Sequence, residues 1–287
     1  MDKMNFSVND RLRQPPKVAA VHDISCIGRC ASTVIIPVMS VLGVEVCPLP
    51  TALLSTHTGG YAGFTFLDLS DEIEKIYRHW NSLGVVFDSV YSGFLGNERQ
   101  IETVLEFAKS CKEKNGDCIF LADPVMGDDG RKYTTYTDEM CRLMKKLVSS
   151  ADIITPNLTE ACILLDIPYR TDFCKGELER MLDGLLQIGA KNVIITGVHR
   201  GEKIGACYKS SGGEYGEYFA VRDEKNYPGT GDIFASIVLS HVLCGKDIAC
   251  GVKAACDFIS AVSKKTTSLG TPVREGLAIE GSLGLLL

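Results

Sequence analysis

Five residues, Pro228-Gly229-Thr230-Gly231-Asp232, run directly into the apolar stretch Ile233-Phe234-Ala235-Ser236-Ile237-Val238. Two glycines, a hydroxyl and a carboxylate thus stand where a buried helix should begin. A helix start presents backbone N–H groups without intrahelical partners and the positive end of the dipole. Glycine lets such a backbone approach a ligand closely, because no Cβ intervenes. The pattern is an anion cradle with one acid beside it. Moving a phosphoryl group onto a hydroxyl needs both parts: donors for the migrating charge and an acceptor for the hydroxyl proton. Gly229, Thr230 and Gly231 would supply the first, Asp232 the second. The same residues also suit a plain helix cap, so the other loops must decide between the two readings. The dipole should pull the Asp232 carboxyl down and make it a weak base. A loose phosphoryl-transfer transition state tolerates that, since orienting the hydroxyl and accepting its proton late are enough.

Four further loops carry polar chemistry. Asp123-Pro124-Val125-Met126-Gly127-Asp128-Asp129-Gly130 holds carboxylates of the kind that bind Mg²⁺ beside phosphates, though Asp, Gly and Pro are also ordinary turn residues. Arg131-Lys132 after it would suit a mobile flap over a polyphosphate. Thr155-Pro156-Asn157-Leu158-Thr159-Glu160 reads as a strand end and a helix start. Asn157 and Glu160 have capping-box spacing; Glu160 could also reach magnesium through water, and Asn157 a phosphate. Thr51-Ala52-Leu53-Leu54-Ser55-Thr56-His57-Thr58 is a hydroxyl-rich loop fit for a small polar heterocycle, in which His57 could orient substrate or exchange a proton. Tyr91-Ser92-Gly93-Phe94-Leu95-Gly96 offers an aromatic face beside glycines, and Phe94 could equally be core. Neither GxxxxGK[ST] nor a GxGxxG after the first strand occurs, which excludes the signatures of P-loop kinases and dinucleotide oxidoreductases.

These loops need elements to position them. Short β-branched runs alternate with amphipathic stretches. Strands are expected at Val18–His22, Val44–Cys47, Val85–Tyr91, Cys118–Ala122, Ile153-Ile154 and Val193–Thr196. Helices are expected over Arg29–Leu42, from a cap at Ser70, and over Glu98–Lys114, Asp138–Val148 and Leu158–Leu165. Another is marked by Leu178, Met181, Leu182 and Leu185, and two more cover 230–244 and 247–266. Ile204–Lys209 and Glu217–Val221 read as a hairpin around Ser211-Gly212-Gly213. The rhythm predicts an α/β fold: a mostly parallel sheet with helices on both faces and antiparallel strands at one edge. In such sheets ligands sit beyond the carboxyl ends of the strands. Asp23, Thr51, Gly93, Asp123, Thr155 and Thr196-Gly197 each follow a predicted strand, so they should converge at one rim.

The chain has 287 residues, is 45% hydrophobic and carries a net charge of −6. It can bury a full core, and its charge argues against a nucleic-acid surface. Residues 1–16 read as a flexible extension without a signal-peptide core, residues 17–287 as one domain, and no run is long enough to span a membrane. Twelve scattered cysteines without a CxxC pair argue for reduced thiols in a cytoplasm rather than a disulfide framework. Cys30, Cys111, Cys162 and Cys256 fall in apolar helical patterns, and Cys26, Cys30 and Cys47 lack zinc spacing.

Taken in order, Ser55-Thr56-His57-Thr58, Tyr91-Ser92-Gly93-Phe94-Leu95-Gly96, Asp123-Pro124-Val125-Met126-Gly127-Asp128, Thr155-Pro156-Asn157 with Glu160, and Gly229-Thr230-Gly231-Asp232 resemble the pyridoxal (vitamin B6) kinases of the ribokinase-like superfamily. The resemblance spans about residues 18 to 265. It implies a ribokinase-like fold and transfer of the ATP γ-phosphate to the 5′-hydroxymethyl group of pyridoxal, pyridoxine or pyridoxamine, as in pyridoxal phosphate salvage. It implies Asp232 as the base and Gly229–Gly231 as the anion hole. Asp123, Asn157, Thr196, Gly197 and Thr230 would lie on the ATP side. Asp128, Glu160 and Thr155 would serve Mg²⁺ and a monovalent cation such as K⁺. Asp23, Thr51, His57 and Phe94 would face the vitamer. A cytoplasmic homodimer, with no nucleic-acid or membrane partner, is also implied. The family commonly has Ser where Asp23 stands and Tyr where Phe94 stands, which bears on vitamer choice; Asp23 could pair with a protonated ring nitrogen. The related hydroxymethylpyrimidine kinases usually carry Cys where Asp232 stands.

Overall fold

The computed structural model describes residues 14–134 and 136–287; residues 1–13 of the expected N-terminal extension lie outside them. The chain opens with β1 (Lys17–Ser25), α1 (Ser32–Val41), β2 (Glu45–Leu54), β3 (Phe66–Asp68), α2 (Ser70–Ser82), β4 (Ser89–Ser92) and α3 (Glu98–Lys114). Next come β5 (Ile119–Ala122), a small hairpin of β6 (Gly127–Asp128) and β7 (Arg131–Lys132), α4 (Asp138–Ser149), β8 (Ile153–Ile154), α5 (Leu158–Leu165) and α6 (Lys175–Ile188). It closes with β9 (Asn192–Arg200), β10 (Lys203–Ser210), β11 (Tyr215–Val221), α7 (Thr230–Leu243) and α8 (Ile248–Ser268). Nine strands form one sheet in the order β11-β10-β9-β8-β5-β4-β1-β2-β3. From β9 to β2 every pairing is parallel.

The central strands are apolar on both faces because helices cover both. In β1, Ala19 and Val21 pack with one core while Val18 and Ala20 pack with the other. In β5, Phe120 and Ala122 face the first core and Leu121 the second. Ile73, Ile101, Val104, Met144 and Leu182, from α2, α3, α4 and α6, belong to the first. Val34, Ile35, Ile237, Val238 and Val262, from α1, α7 and α8, belong to the second. The twelve cysteines, all among the described residues, form no disulfide.

Several local expectations need correction. Antiparallel strands flank the sheet at both edges: β10 and β11 at one, and β3 at the other. The second strand runs well past Cys47 to Leu54, although it contains Pro48 and Pro50. Those prolines fall in the part of β2 that β3 does not cover, so no ladder bond to a neighbour on that side is lost. The helix expected from Arg29 starts at Ser32, which leaves Cys30 ahead of it, and the strand expected from Val85 starts at Ser89. Ser70 is not a cap: the N-cap of α2 is Leu69, without a side-chain bond, and the Ser70 N–H is held by Asp68 Oδ1 at 2.7 Å. Arg131-Lys132 forms the second strand of the small hairpin.

Candidate active site

Helix α7 begins at the rim where the parallel strands end. Its N-cap, Gly229, is left-handed at φ 80°. Its first backbone bond runs from Ile233 N–H to Gly229 O at 3.1 Å. The N–H groups of Thr230, Gly231 and Asp232 therefore have no intrahelical partner. The two glycines serve different ends. A Cβ on Gly229 would stand 2.1 Å from Arg29 O, so glycine there permits backbone-to-backbone packing. A Cβ on Gly231 would meet nothing nearer than Asp123 Oδ2 at 3.7 Å, so the space above it is open. Thr230 Oγ1 donates to Tyr227 O at 3.2 Å.

Asp232 follows in the first turn. Its Oδ2 accepts the Ala31 N–H at 2.8 Å. Ala31 makes that bond from an unusual backbone, φ 49° and ψ −137°, at the mouth of α1. Such a conformation costs a non-glycine residue about 1–3 kcal/mol and persists where surrounding structure imposes it. Here the imposing structure is visible. Arg29 donates its N–H to Glu275 O at 3.1 Å, and its Nε pairs with Glu280 Oε1 at 2.6 Å. Gly276 lies so close that a Cβ would be 2.7 Å from Arg29 O. The turn before α1 is therefore clamped between Gly229 and the C-terminal segment.

The dipole argument for Asp232 fails. Although 17% of its side-chain surface faces the cleft, protein encloses the rest. Burial pushes the carboxyl up to about 7, the Ala31 N–H pulling the other way and the Asp23 charge adding to the rise. Desolvation outweighs the helix end, so Asp232 is a stronger base than its position in α7 suggests.

Asp123 follows β5, its N–H bonded to Ser92 O at 2.8 Å at the end of β4. It is buried, and burial first, then the Asp232 charge, raises it to about 8. The negative charge of Asp232 thus favours the protonated form of Asp123. Glu160 is also buried. Its Oε1 accepts Met126 N–H at 3.1 Å and its Oε2 accepts Asn157 N–H at 2.9 Å. The capping box is thus real, with Asn157 Oδ1 accepting Glu160 N–H at 2.9 Å. Asn157 gives one amide hydrogen to Gly127 O. Burial first, then Asp123, pushes Glu160 well above the usual carboxylate range. Asp128 is exposed on β6. Thr155 is buried with Oγ1 unpartnered. Among the described residues no group of three His, Cys, Asp or Glu side chains is placed to hold a metal ion.

Asp123 and Asp232 tie stability to pH. Both fold with a carboxyl raised from an ordinary 3.8. A raised acid stabilises fully below its unfolded value, and that share is lost as pH climbs through the folded one. Thermal melting without ligands should therefore fall from pH 5.5 to pH 8.5. Asp123→Asn should flatten the fall, and equal slopes in the two proteins would refute the account.

Thr196 and Gly197 lie within β9 rather than after it. Thr196 N–H bonds Pro156 O at 2.9 Å, which sets it beside Asn157. Gly197 is left-handed at φ 69° with nothing within 4 Å of a Cβ. Asp23 is buried at the end of β1, Oδ2 accepting Ser25 Oγ–H at 2.9 Å, and burial raises it. Phe94 is half-buried against the core. Thr51 was expected to follow the second strand but lies inside β2. It is fully enclosed, its hydroxyl donated to Phe94 O at 3.2 Å. His57 has both ring nitrogens engaged, Nε2 with Arg274 O at 2.6 Å and Nδ1 with Gly59 N–H at 3.1 Å. It pins its loop to the C-terminal segment and has no nitrogen free for proton exchange. Ala31 and Tyr91, whose hydroxyl donates to Asp232 O at 3.4 Å, escaped sequence reasoning. So did His22, although a histidine closing the apolar run Val18-Ala19-Ala20-Val21 is a signal.

The sequence profile of the phosphomethylpyrimidine kinase family matches residues 36–275. A crystal structure from Bacteroides thetaiotaomicron, provisionally named a phosphomethylpyrimidine kinase, shares 41% identity at a TM-score of 0.92, over 96% of this chain and 95% of that one. A second crystal form of it, with pyridoxal, gives a TM-score of 0.90 at 41% identity, over 95% of this chain and 96% of that one. Pyridoxal kinase from Lactobacillus plantarum gives 0.86 at 28% identity, over 95% of this chain and 96% of that one. A Caenorhabditis elegans protein, provisionally named a pyridoxal kinase, is 30% identical over 206 residues. That match spans 69% of this chain and 62% of the worm protein.

Proposed function

We propose a reaction for this chain, which belongs to the phosphomethylpyrimidine kinase family and has the ribokinase-like fold of the pyridoxal kinases: it moves the γ-phosphoryl group of ATP onto the 5′-hydroxymethyl group of a vitamin B6 vitamer. One observation carries the reading. The Asp232 carboxylate, oriented by the Ala31 N–H, stands beside three unpartnered amides at the start of α7. The amides of Thr230, Gly231 and Asp232 stabilise charge on the migrating group. Asp232 orients the acceptor hydroxyl and takes its proton. Its raised ionisation near 7 suits a base working near neutral pH. Asp123, Asn157, Thr196 and the open Gly197 form the nucleotide side. Asp23 and Phe94 form the vitamer side, with Thr51 and His57 shaping its wall from behind.

Mg²⁺ fits the donor set. Glu160 and Asp123 are buried acids without a Lys or Arg ion pair among the described residues, and the buried Thr155 hydroxyl faces the Asp123 carboxyl. The ion would sit between the phosphates and one or two of Asp128, Glu160 and Thr155, keeping several waters. Bound there, it neutralises phosphate charge. Thr155 would also serve a monovalent cation such as K⁺. The continuous sheet supports one kinase domain over 17–287. The exposed Leu53, Phe66 and Leu67 at the β3 edge support a homodimer. No helix among the described residues is long and apolar enough to cross a membrane; a cytoplasmic role in pyridoxal phosphate salvage completes the proposal.

The relative obtained with pyridoxal favours a B6 vitamer over a pyrimidine. The family's name keeps hydroxymethylpyrimidine as the second acceptor. ATP turnover with Mg²⁺ against pyridoxal, pyridoxine, pyridoxamine and hydroxymethylpyrimidine separates them. The expected result is the highest kcat/KM with a B6 vitamer. A preference for hydroxymethylpyrimidine establishes the second reading, and vitamer binding without ATP consumption overturns both in favour of a sensor.

A further inference from the structure

His22 closes the apolar half of β1, directly below Asp232. Its ring has no exposed surface, and neither ring nitrogen has a hydrogen-bond partner. Such a group costs about 1–3 kcal/mol to bury, so its retention needs a reason. Burial lowers its ionisation to about 3, which keeps the ring neutral in any ordinary buffer. The surroundings fix where it points. Its edge meets the Tyr91 ring at 4.3 Å between centroids and 71° between planes. On the β4 side only Gly93 leaves room for it: a Cβ there would lie 2.4 Å from both Cε1 and Nδ1. Two polar groups face the ring: the Tyr91 backbone, which works against the effect of burial, and Asp232, whose Oδ1 lies 3.9 Å from Nδ1.

We propose that His22 is a positioning residue for Asp232: its Nδ1–H holds Oδ1 toward the acceptor alcohol while the Ala31 N–H holds Oδ2. The inference rests on the reading of Asp232 as the group that faces the alcohol. The 3.9 Å gap to Oδ1 is longer than a hydrogen bond. A small turn of the Asp232 side chain closes it as the acceptor arrives. Held at both oxygens, the carboxylate keeps one lone pair aimed at the hydroxyl. Released at Oδ1, it can swing about the single Ala31 bond.

His22→Leu keeps the volume and removes the donor. Its kcat should fall about 10- to 100-fold, as expected for one lost hydrogen bond to a charged group, with KM for ATP within about twofold. His22→Asn, whose Nδ2–H hangs from Cγ as Nδ1–H does, should recover most of the loss. In an Asp232→Asn background His22→Leu should change kcat less than about twofold, because the partner it positions is gone. A folded His22→Leu with near-parental kcat overturns the proposal. So does an equal loss in both backgrounds, which marks a merely structural role. Should His22→Leu not fold, His22→Asn is compared with His22→Gln: the longer amide carries its N–H one carbon beyond the Nδ1 position, and equal kcat for the two overturns the proposal. Near-parental turnover of Asp232→Asn alone refutes the reading of Asp232, a result separate from any His22 measurement.

Discussion

Asp232→Asn should lower kcat about 10²- to 10⁴-fold, the range for losing a positioned general base, with KM for ATP nearly unchanged. The asparagine oxygen can still accept the Ala31 N–H that Oδ2 accepts at 2.8 Å. The fold and the three amides of α7 therefore stay in place, and the nucleotide should bind as before. What disappears is the acceptor for the hydroxyl proton. The parent should also lose turnover in acid. Asp232 works as a base only when unprotonated, and its carboxyl is raised to about 7. Its kcat should therefore rise through neutrality, and the residual activity of Asp232→Asn should lack that limb. Steady-state kinetics with pyridoxal between pH 5.5 and 9 reads both effects. A variant within tenfold of the parent removes Asp232 from the chemistry.

Gly229→Ala should damage both stability and turnover, whereas Gly231→Ala should damage turnover alone. At Gly229 the backbone is left-handed, which costs an alanine about 1–2 kcal/mol, and the new methyl would lie 2.1 Å from Arg29 O and 3.0 Å from Cys30 Cα. Those atoms are backbone, so the whole turn before α1 must shift. That turn carries the Ala31 N–H to Asp232. A total loss of about 2–4 kcal/mol and a kcat at least about 100-fold lower are expected. At Gly231 the added methyl meets only Asp123 Oδ2 at an ordinary 3.7 Å. Alanine is also the better helix former, so melting should hold or rise. The methyl instead stands where the phosphoryl group must approach the amides, and kcat/KM for ATP should drop at least about tenfold. Thermal melts beside kinetics on both variants check the contrast. Equal melting losses would show that Gly231 is a packing glycine too.

The start of α7, Asp123 after β5 and the Thr155–Glu160 turn were legible because glycine and carboxylate at strand ends are local signals. The alternation of strands and helices gave the layers for the same reason. What failed to show was set by distant partners. Nothing near Ala31 announces φ 49°, because Gly229 and the Arg29–Glu275 contact impose it. His57 looked free for proton exchange, yet Arg274, 217 residues away, takes its Nε2. The dipole at Asp232 is visible in the order of residues, but the burial that outweighs it depends on β1 and β4 closing beneath. Thr51 was expected after a strand covering Val44–Cys47; with one side of β2 uncovered at Pro48 and Pro50, the strand continues through both to Leu54.

The clamp on Arg29 sets an order of events during synthesis. Domains fold as the chain leaves the ribosome, N-terminal parts first. Here Asp23, Asp123 and even Asp232 emerge well before Glu275 and Glu280, which grip Arg29 and so fix the turn that bonds Asp232. A nascent chain can therefore display every reactive side chain and still lack an aligned base. The Ala31 bond to Asp232 therefore gains its full support only when the segment carrying Glu275 and Glu280 has docked on Arg29.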